Sequence, residues 1–503
     1  MFSKHKRPDS FLIQVHITAI FLAVFLIQSC HSEETRQKDE CVISEETTRH
    51  KLAVVENLLT KVQFVGEESV SSSVLDRMEH FQLPGLSLAL IHGGEIEWTS
   101  GYGVKSRESL EPVSCDTLFQ AASLSKPVTL IAAMRMYEAG VIDLDADIHS
   151  YLADYQLPAG AHSANNPVTF RNILSHTSGL TAGGYMGYAQ DAGFPTDIDV
   201  LMGEGVTNSA KLESLQTPGT ELAYSGGGYT VAEVAMQDVT GNSFKVLMDE
   251  WILQPAGMAN SDFSQPLPTS QHQSVALGHD VSGVPIKGGW HNHPEQAAAG
   301  LWSTAGDMAA FMVEIYKAYH GKSDLLDEGT IRKMIADQRD GHVYGFLVDG
   351  AGEERLSLRH YGGNVGYRSF MIIYLESGDG AAFLTNSDNG GNLGREVMYS
   401  ASKVYGWPTF HQTKVTRASR SVKQLRDFVG VYEFDENLRV EIDFSDAENA
   451  IGVNFPNGER YSLVPITGGD EFIHPENGVT VSFGEEDVVR TLMMYGDTAV
   501  KVE

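Results

Sequence analysis

Ser123 and Lys126 stand three residues apart in "SLSK", where the apolar helical run "LFQAASLSKPVTLIAAM" begins. Residues at that spacing share a helix face, so a hydroxyl and an ammonium can meet, and Pro127 falls early enough in the helix to be tolerated. The chemistry such a pair allows is acyl transfer. A helix N-terminus presents unpaired N–H groups and a partial positive charge to the oxyanion formed when a serine attacks a carbonyl. A lysine drawn into a core loses the solvation of its charge and can become a base. The same four residues also suit a capping serine followed by a surface lysine, so the surroundings decide.

Other polar motifs carry less. His291 and His293 in "HNHPE" have no third ligand at a metal-binding spacing, and no metal site is expected. His176 in "SHTSGL" reads as a structural turn residue, and "SDN" at Ser387–Asn389 as a turn. No G-x-S-x-G elbow occurs, which counts against an α/β-hydrolase.

With its surroundings, "SLSK" resembles the S-x-x-K motif of the serine β-lactamase and penicillin-binding protein superfamily, and most of all its class C β-lactamase-like serine hydrolases. The supporting landmarks follow in that family's order: "FRNILSHTSGL", "TPGTELAYSGGGYTVAE", "AAAGLWSTAGDMAAF" and "HYGGNVGYRS". The resemblance implies Ser123 as nucleophile, Lys126 as its base or proton relay, and Tyr224 as the shuttle to the leaving group. It further implies that His360, Tyr361 and Gly362 form the substrate-holding strand, with the Gly363 N–H completing an oxyanion hole with that of Ser123. No metal or organic cofactor is implied. Two positions depart from the family pattern. Gly226 stands where the tyrosine motif has asparagine, and His360 stands where the strand has lysine. An imidazole, with an unperturbed pKa of about 6.5, is mostly neutral at pH 7. Both departures weaken recognition of an anionic β-lactam while leaving acyl transfer intact. The expected activity is therefore an exported serine hydrolase, esterase-like with weak β-lactam hydrolysis. Its rivals are a D-amino-acid-specific peptidase or transpeptidase of peptidoglycan, a β-lactamase, and a penicillin-binding sensor that stops at one adduct.

These residues need a scaffold. "LSLALIH" and "EIEWTSGYG" read as two strands joined at His92-Gly93-Gly94, and the Ser123 helix as stopping at Ala139-Gly140. Two further β-rich runs flank Gly378-Asp379-Gly380, bracketing a helical middle. The fold expected is α/β (α+β): a β-lactamase/transpeptidase-like catalytic domain with a central antiparallel sheet and flanking helices over residues 52–408. A polar linker, 409–424, leads to an all-β domain, 425–503, in which Leu438, Val440, Ile442 and Phe444 alternate with polar residues around Asn457-Gly458 and Asn477-Gly478 turns. That tail resembles the accessory domain often appended to the family.

The 503 residues carry a net charge of -30, which repels nucleic acid and anionic lipid and excludes nucleic-acid partners. Lys4, Lys6 and Arg7 lead an apolar stretch ending in "LIQSC", the pattern of an export signal over residues 1–29, with an uncleaved anchor as the alternative. "LIQSC" resembles a bacterial lipobox, which implies lipid attachment at Cys30 and a site in the periplasm or at the outer membrane; ordinary signal cleavage is the alternative. Residues 30–51 read as a polar tether. Cys41 and Cys115 remain as the pair that an oxidising compartment could join. The partner expected is a small-molecule or peptide substrate, and the sequence leaves oligomeric state open.

Overall fold

The computed structural model describes residues 45–502 apart from 69–70, 182, 338–340, 351–353, 435–437, 446–448, 457 and 487–488. The signal, Cys30, Cys41 and Asn457 lie outside the described residues, as does most of the tether. Among the described residues no helix is long and apolar enough to cross a membrane.

Helix α1 (Glu45–Val55) comes first, then strand β1 (Val62–Phe64). A seven-stranded sheet follows, built from β2 (Gly85–His92), β3 (Glu95–Gly103), β4 (His342–Val343), β5 (Phe346–Asp349), β6 (Ser357–Asn364), β7 (Tyr367–Tyr374) and β8 (Gly380–Thr385). Its spatial order is β3-β2-β8-β7-β6-β5-β4, and every pairing is antiparallel. The β2–β3 hairpin turns where expected, with Gly93 and Gly94 at φ of 60° and 82°, a region that favours glycine.

Strand alternation assigns the two faces. Leu86, Leu88 and Leu90 pack with Val54 and Val55 of α1 and with Leu393 and Val397 of a late helix. Ala89 and Ile91, from the same strand, join the larger core on the opposite face. That core holds α2 (Ser125–Glu138), α3 (Gly226–Thr240), the short α4 (Gln296–Ala299) and α5 (Ala305–Tyr319), while α6 (Gly390–Tyr405) covers the other face. Helix α2 ends at Ala139, with Gly140 at φ 72°, as its sequence predicts.

Two stretches are more ordered than their composition predicts. Helix α1 begins at Glu45, inside the segment read as tether, and His50 Nδ1 lies 2.9 Å from Glu97 on β3. Within the expected linker, β9 (Thr413–Val415) pairs in parallel with β1, and a Ser421 capping box opens the short helix Val422–Arg426. The C-terminal part is a closed eight-stranded barrel, from Gly430–Glu433 to Asp497–Lys501, with Tyr432 opposite Lys501 at the closure. Leu425, Phe428, Tyr432, Val440, Ile442, Phe472 and Leu492 fill it, as an eight-stranded barrel's width allows. Leu438, expected to point inward, is 37% exposed because it precedes the strand Arg439–Ser445. Val62 of β1 packs against Val464 and Ile466 of the barrel, and Arg77 binds Glu396 and Glu476 together, tying the barrel to the sheet.

Candidate active site

Ser123 sits in a 3-10 turn, Ala122–Leu124, directly before α2, which begins at Ser125 rather than at Ser123. Ala122 is forced to φ 53°, a conformation that costs a residue with a Cβ about 1–2 kcal/mol. The turn is held from two sides. Ser125 Oγ donates to Ala122 O at 2.6 Å and accepts from Leu301 N–H at 3.0 Å, while Ser369 Oγ on β7 donates to Ala121 O at 2.7 Å. Ser125 is thus fully engaged and Ser123 is partly exposed.

Lys126 is 2% exposed. Its Nζ donates to Ser123 Oγ at 3.1 Å and to Ala298 O on α4 at 2.8 Å. The ring of Tyr224 lies 4.9 Å from Nζ and that of Tyr229 6.0 Å. Neutral oxygens and aromatic faces therefore surround Nζ. Tyr224 stands two residues before α3, whose first turn is capped by Ser225 Oγ accepting from Gly228 N–H at 2.8 Å.

His176 is the residue the sequence undervalues. It does occupy a turn, with φ 56°, but its ring also packs 4.4 Å from that of Tyr224 and 5.2 Å from that of Tyr229. Its Nδ1 accepts from Ser225 N–H at 3.1 Å, which fixes the lone pair on Nδ1. Nothing in "SHTSGL" marks that contact, because the donor is a backbone group 49 residues away. On the far side of Tyr224 the ring of His360 lies at 6.4 Å. His360 Nδ1 donates to Tyr361 O at 2.7 Å.

Strand β6 carries His360, Gly362 and Gly363 along the turn of Ser123. Its pairing with β5 ends at Arg359, so beyond that point no strand among the described residues covers this edge. Gly362 is required there: a Cβ would come 2.2 Å from Ser369 Oγ and 2.4 Å from Ala121 O. Gly363 has ordinary space, with Arg368 Nη1 3.5 Å from the same position. At the strand's end Asn364 Nδ2 donates to Gln120 Oε1 and Ala299 O, closing the floor beneath Ser123.

Histidines 291 and 293 part ways. His291 Nδ1 lies 2.8 Å from Met186 O, and His293 is buried. No cluster able to hold a metal occurs among the described residues. Ser387–Asn389 forms a turn, as read, with Asp388 bound to Arg368. Cys115 Sγ accepts from Thr99 Oγ1 at 3.4 Å.

A serine, a buried lysine, a tyrosine ring and a glycine-bearing strand thus stand together, an arrangement able to form an acyl-enzyme. Residues 71–402 match the β-lactamase family. The chain belongs to that family. Penicillin-binding protein 4* of Bacillus subtilis is 24% identical over 450 residues, 83% of this chain and 94% of that protein. Esterase EstB of Burkholderia gladioli is 29% identical over 215 residues, 41% of this chain and 53% of that protein. The octameric penicillin-binding protein homologue from Pyrococcus abyssi shares the fold with a TM-score of 0.56 at 19% identity, over 85% of this chain and 98% of that one. This β-lactamase-fold chain is accordingly a member of a family of serine hydrolases, with penicillin-binding proteins and an esterase among its relatives.

Proposed function

We propose that the chain is an exported serine hydrolase that acts through a Ser123 acyl-enzyme and turns over esters faster than β-lactams. The observation that carries this is the 3.1 Å contact from buried Lys126 Nζ to Ser123 Oγ. Ser123 Oγ bonds to the substrate carbonyl carbon as its proton passes to Lys126 in its unprotonated amine form. Collapse of the tetrahedral adduct breaks the bond to the leaving group, which takes a proton delivered through Tyr224. Water then releases the acid and restores the serine. The N–H groups of Ser123 and Gly363 take the oxyanion. Tyr224 presents its ring to Nζ, so its hydroxyl must approach during the reaction, a tightening common when substrate enters.

His360 at the lysine position and Gly226 at the asparagine position support the ester preference, since a simple ester needs neither a fixed cation nor a side-chain amide. A second reading, a peptidase for D-amino-acid peptides, is favoured by the uncovered edge of β6, which can pair with an extended backbone. Export and a lipid on Cys30 belong to the proposal and place the enzyme in the periplasm or at the outer membrane.

The test compares kcat/KM for p-nitrophenyl acetate, nitrocefin and a D-Ala-D-Ala peptide on the mature protein. Ester turnover above nitrocefin by orders of magnitude, abolished in Ser123→Ala, is expected. Nitrocefin turnover at or above the ester's refutes the preference, and fastest turnover of the peptide selects the second reading. Incorporation of a fatty-acid probe that Cys30→Ala removes supports the lipid; incorporation unchanged by it refutes the lipid.

A further inference from the structure

Behind Lys126 lies a group of buried polar side chains that the reaction above leaves unused. Glu233, His293 and Glu295 are each fully buried. One hydrogen bond links this group to the base. Glu233 Oε2, on α3, accepts from the N–H of Ala297 at 2.8 Å, in the first turn of α4. The carbonyls of α4 in turn grip two other elements, α2 twice and β6 once. Ala297 O accepts from Thr129 Oγ1 of α2, Ala298 O from Lys126 Nζ, and Ala299 O from Asn364 Nδ2 of β6. A helix of four residues, Gln296–Ala299, has almost no ladder of its own, so its place depends on what holds its ends.

We infer that Glu233 is a positioning residue for acyl transfer: its carboxyl clamps the first turn of α4 to α3 and so fixes the Ala298 carbonyl that holds Lys126 Nζ beside Ser123. This rests on the roles proposed above for Ser123 and Lys126. Helix α3 also follows directly on Tyr224, so the clamp joins the element that presents the tyrosine to the one that steadies the lysine.

The clamp works through an acceptor oxygen atom. Burial, with the carboxyls of Asp197 and Glu295 nearby, pushes the Glu233 carboxyl well above the ordinary carboxylate range. Burial also favours the neutral forms of the titratable groups around it. Burial raises Glu295 to about 8 and lowers His293 to about 3, and it raises the Tyr185 phenol as well. Asp197, raised by burial to about 6, accepts from Gln237 on α3. Glutamine keeps an acceptor oxygen in the same place, whereas methionine keeps the volume and loses it.

The experiment measures the rate at which a fluorophosphonate labels Ser123, by intact mass spectrometry, across pH 5–10 in wild type, Glu233→Gln and Glu233→Met. Glu233→Met is expected to label about 10- to 100-fold more slowly, the scale of a base displaced by a fraction of an ångström to an ångström. Its pH midpoint should move as well, a change that a mere loss of folded protein does not produce. Glu233→Gln is expected to stay within about threefold of wild type with the midpoint unmoved. A folded Glu233→Met with wild-type rate and midpoint overturns the inference, as does a Glu233→Gln as slow as the methionine variant. Should Glu233→Met fail to fold, Ala297→Pro removes the donor from the other side at a first-turn position that accepts proline, and it must reproduce the slow, shifted labelling. Labelling requires no particular substrate, so a wild type that labels but hydrolyses no ester refutes the esterase reading alone.

Discussion

Gly362 offers a test whose size follows from distances. In Gly362→Ala the new Cβ starts 2.4 Å from Ala121 O and 2.2 Å from Ser369 Oγ. A carbon needs about 3.3 Å from an oxygen. The strand and the turn of Ser123 must therefore part by close to 1 Å to clear Ala121 O, and Ser369 must also give way, at the expense of its 2.7 Å bond to Ala121 O. Overpacking of this kind costs about 1–3 kcal/mol of stability, and a 1 Å displacement of reacting groups costs about 100-fold in rate. Gly363→Ala is the matched control. Its Cβ meets nothing nearer than Arg368 Nη1 at 3.5 Å, and it retains the N–H proposed for the oxyanion, so a change of about twofold is expected. The assay is kcat/KM on p-nitrophenyl acetate together with fluorophosphonate labelling, with melting temperatures to confirm folding. A folded Gly362→Ala that labels at the wild-type rate would show that the turn and the strand do not need this approach, and the reasoning would fall.

Two further expectations concern side chains. Ser123→Ala abolishes covalent labelling, whereas Ser125→Ala leaves labelling in place but lowers stability by about 1–3 kcal/mol, because Leu301 N–H loses its buried acceptor; mass mapping and a urea melt check both. Glu295→Gln flattens the pH dependence of stability above neutrality. The folded carboxyl, raised from 4.5 to about 8 by burial, binds a proton that the unfolded chain releases, so its contribution is full below pH 4.5 and is lost as pH rises towards 8. His293, lowered to about 3, acts in the opposite sense only below its unfolded value near 6.5. Between pH 6.5 and 8 the wild type should therefore lose about 1.4 kcal/mol per pH unit that the glutamine variant does not, read from urea midpoints, and parallel curves for the two proteins refute the assignment.

Residue type and spacing made the Ser123–Lys126 pair and two of the sheet's hairpins, β2–β3 and β7–β8, legible, since those signals are local. The start of α2 at Ser125, and the strained Ala122 before it, were not, because bonds from Ser369 and Leu301 shape that turn from far along the chain. Lys126 finds its second partner in the Ala298 carbonyl, and a carbonyl has no residue-type signature. For the same reason His176 read as a turn and Glu233 drew no notice. Tyr224 and His360 were found only through the family resemblance, since a lone tyrosine or histidine between glycines carries no chemistry by itself. Residues 45–51 looked unable to pack because they are charged, yet one histidine–glutamate contact and the apolar end of α1 suffice to dock them.

The uncovered edge of β6 also bears on how the protein survives in solution. A row of unpaired backbone groups is a template that any extended chain can join, and natural sheets blunt such edges. Here the stretch that β5 leaves unpaired runs only from His360 to Asn364, contains two adjacent glycines of low strand propensity, and faces the Ser123 turn so closely that Gly362 has no room for a Cβ. A single peptide backbone of substrate length can lie there, but a second sheet cannot stack along it. The protein's overall charge of -30 sets like molecules further apart. The geometry that admits a substrate thus also works against fibrous self-association, so substitutions that lengthen this edge, Gly363→Val for instance, should be judged by solubility as well as by rate.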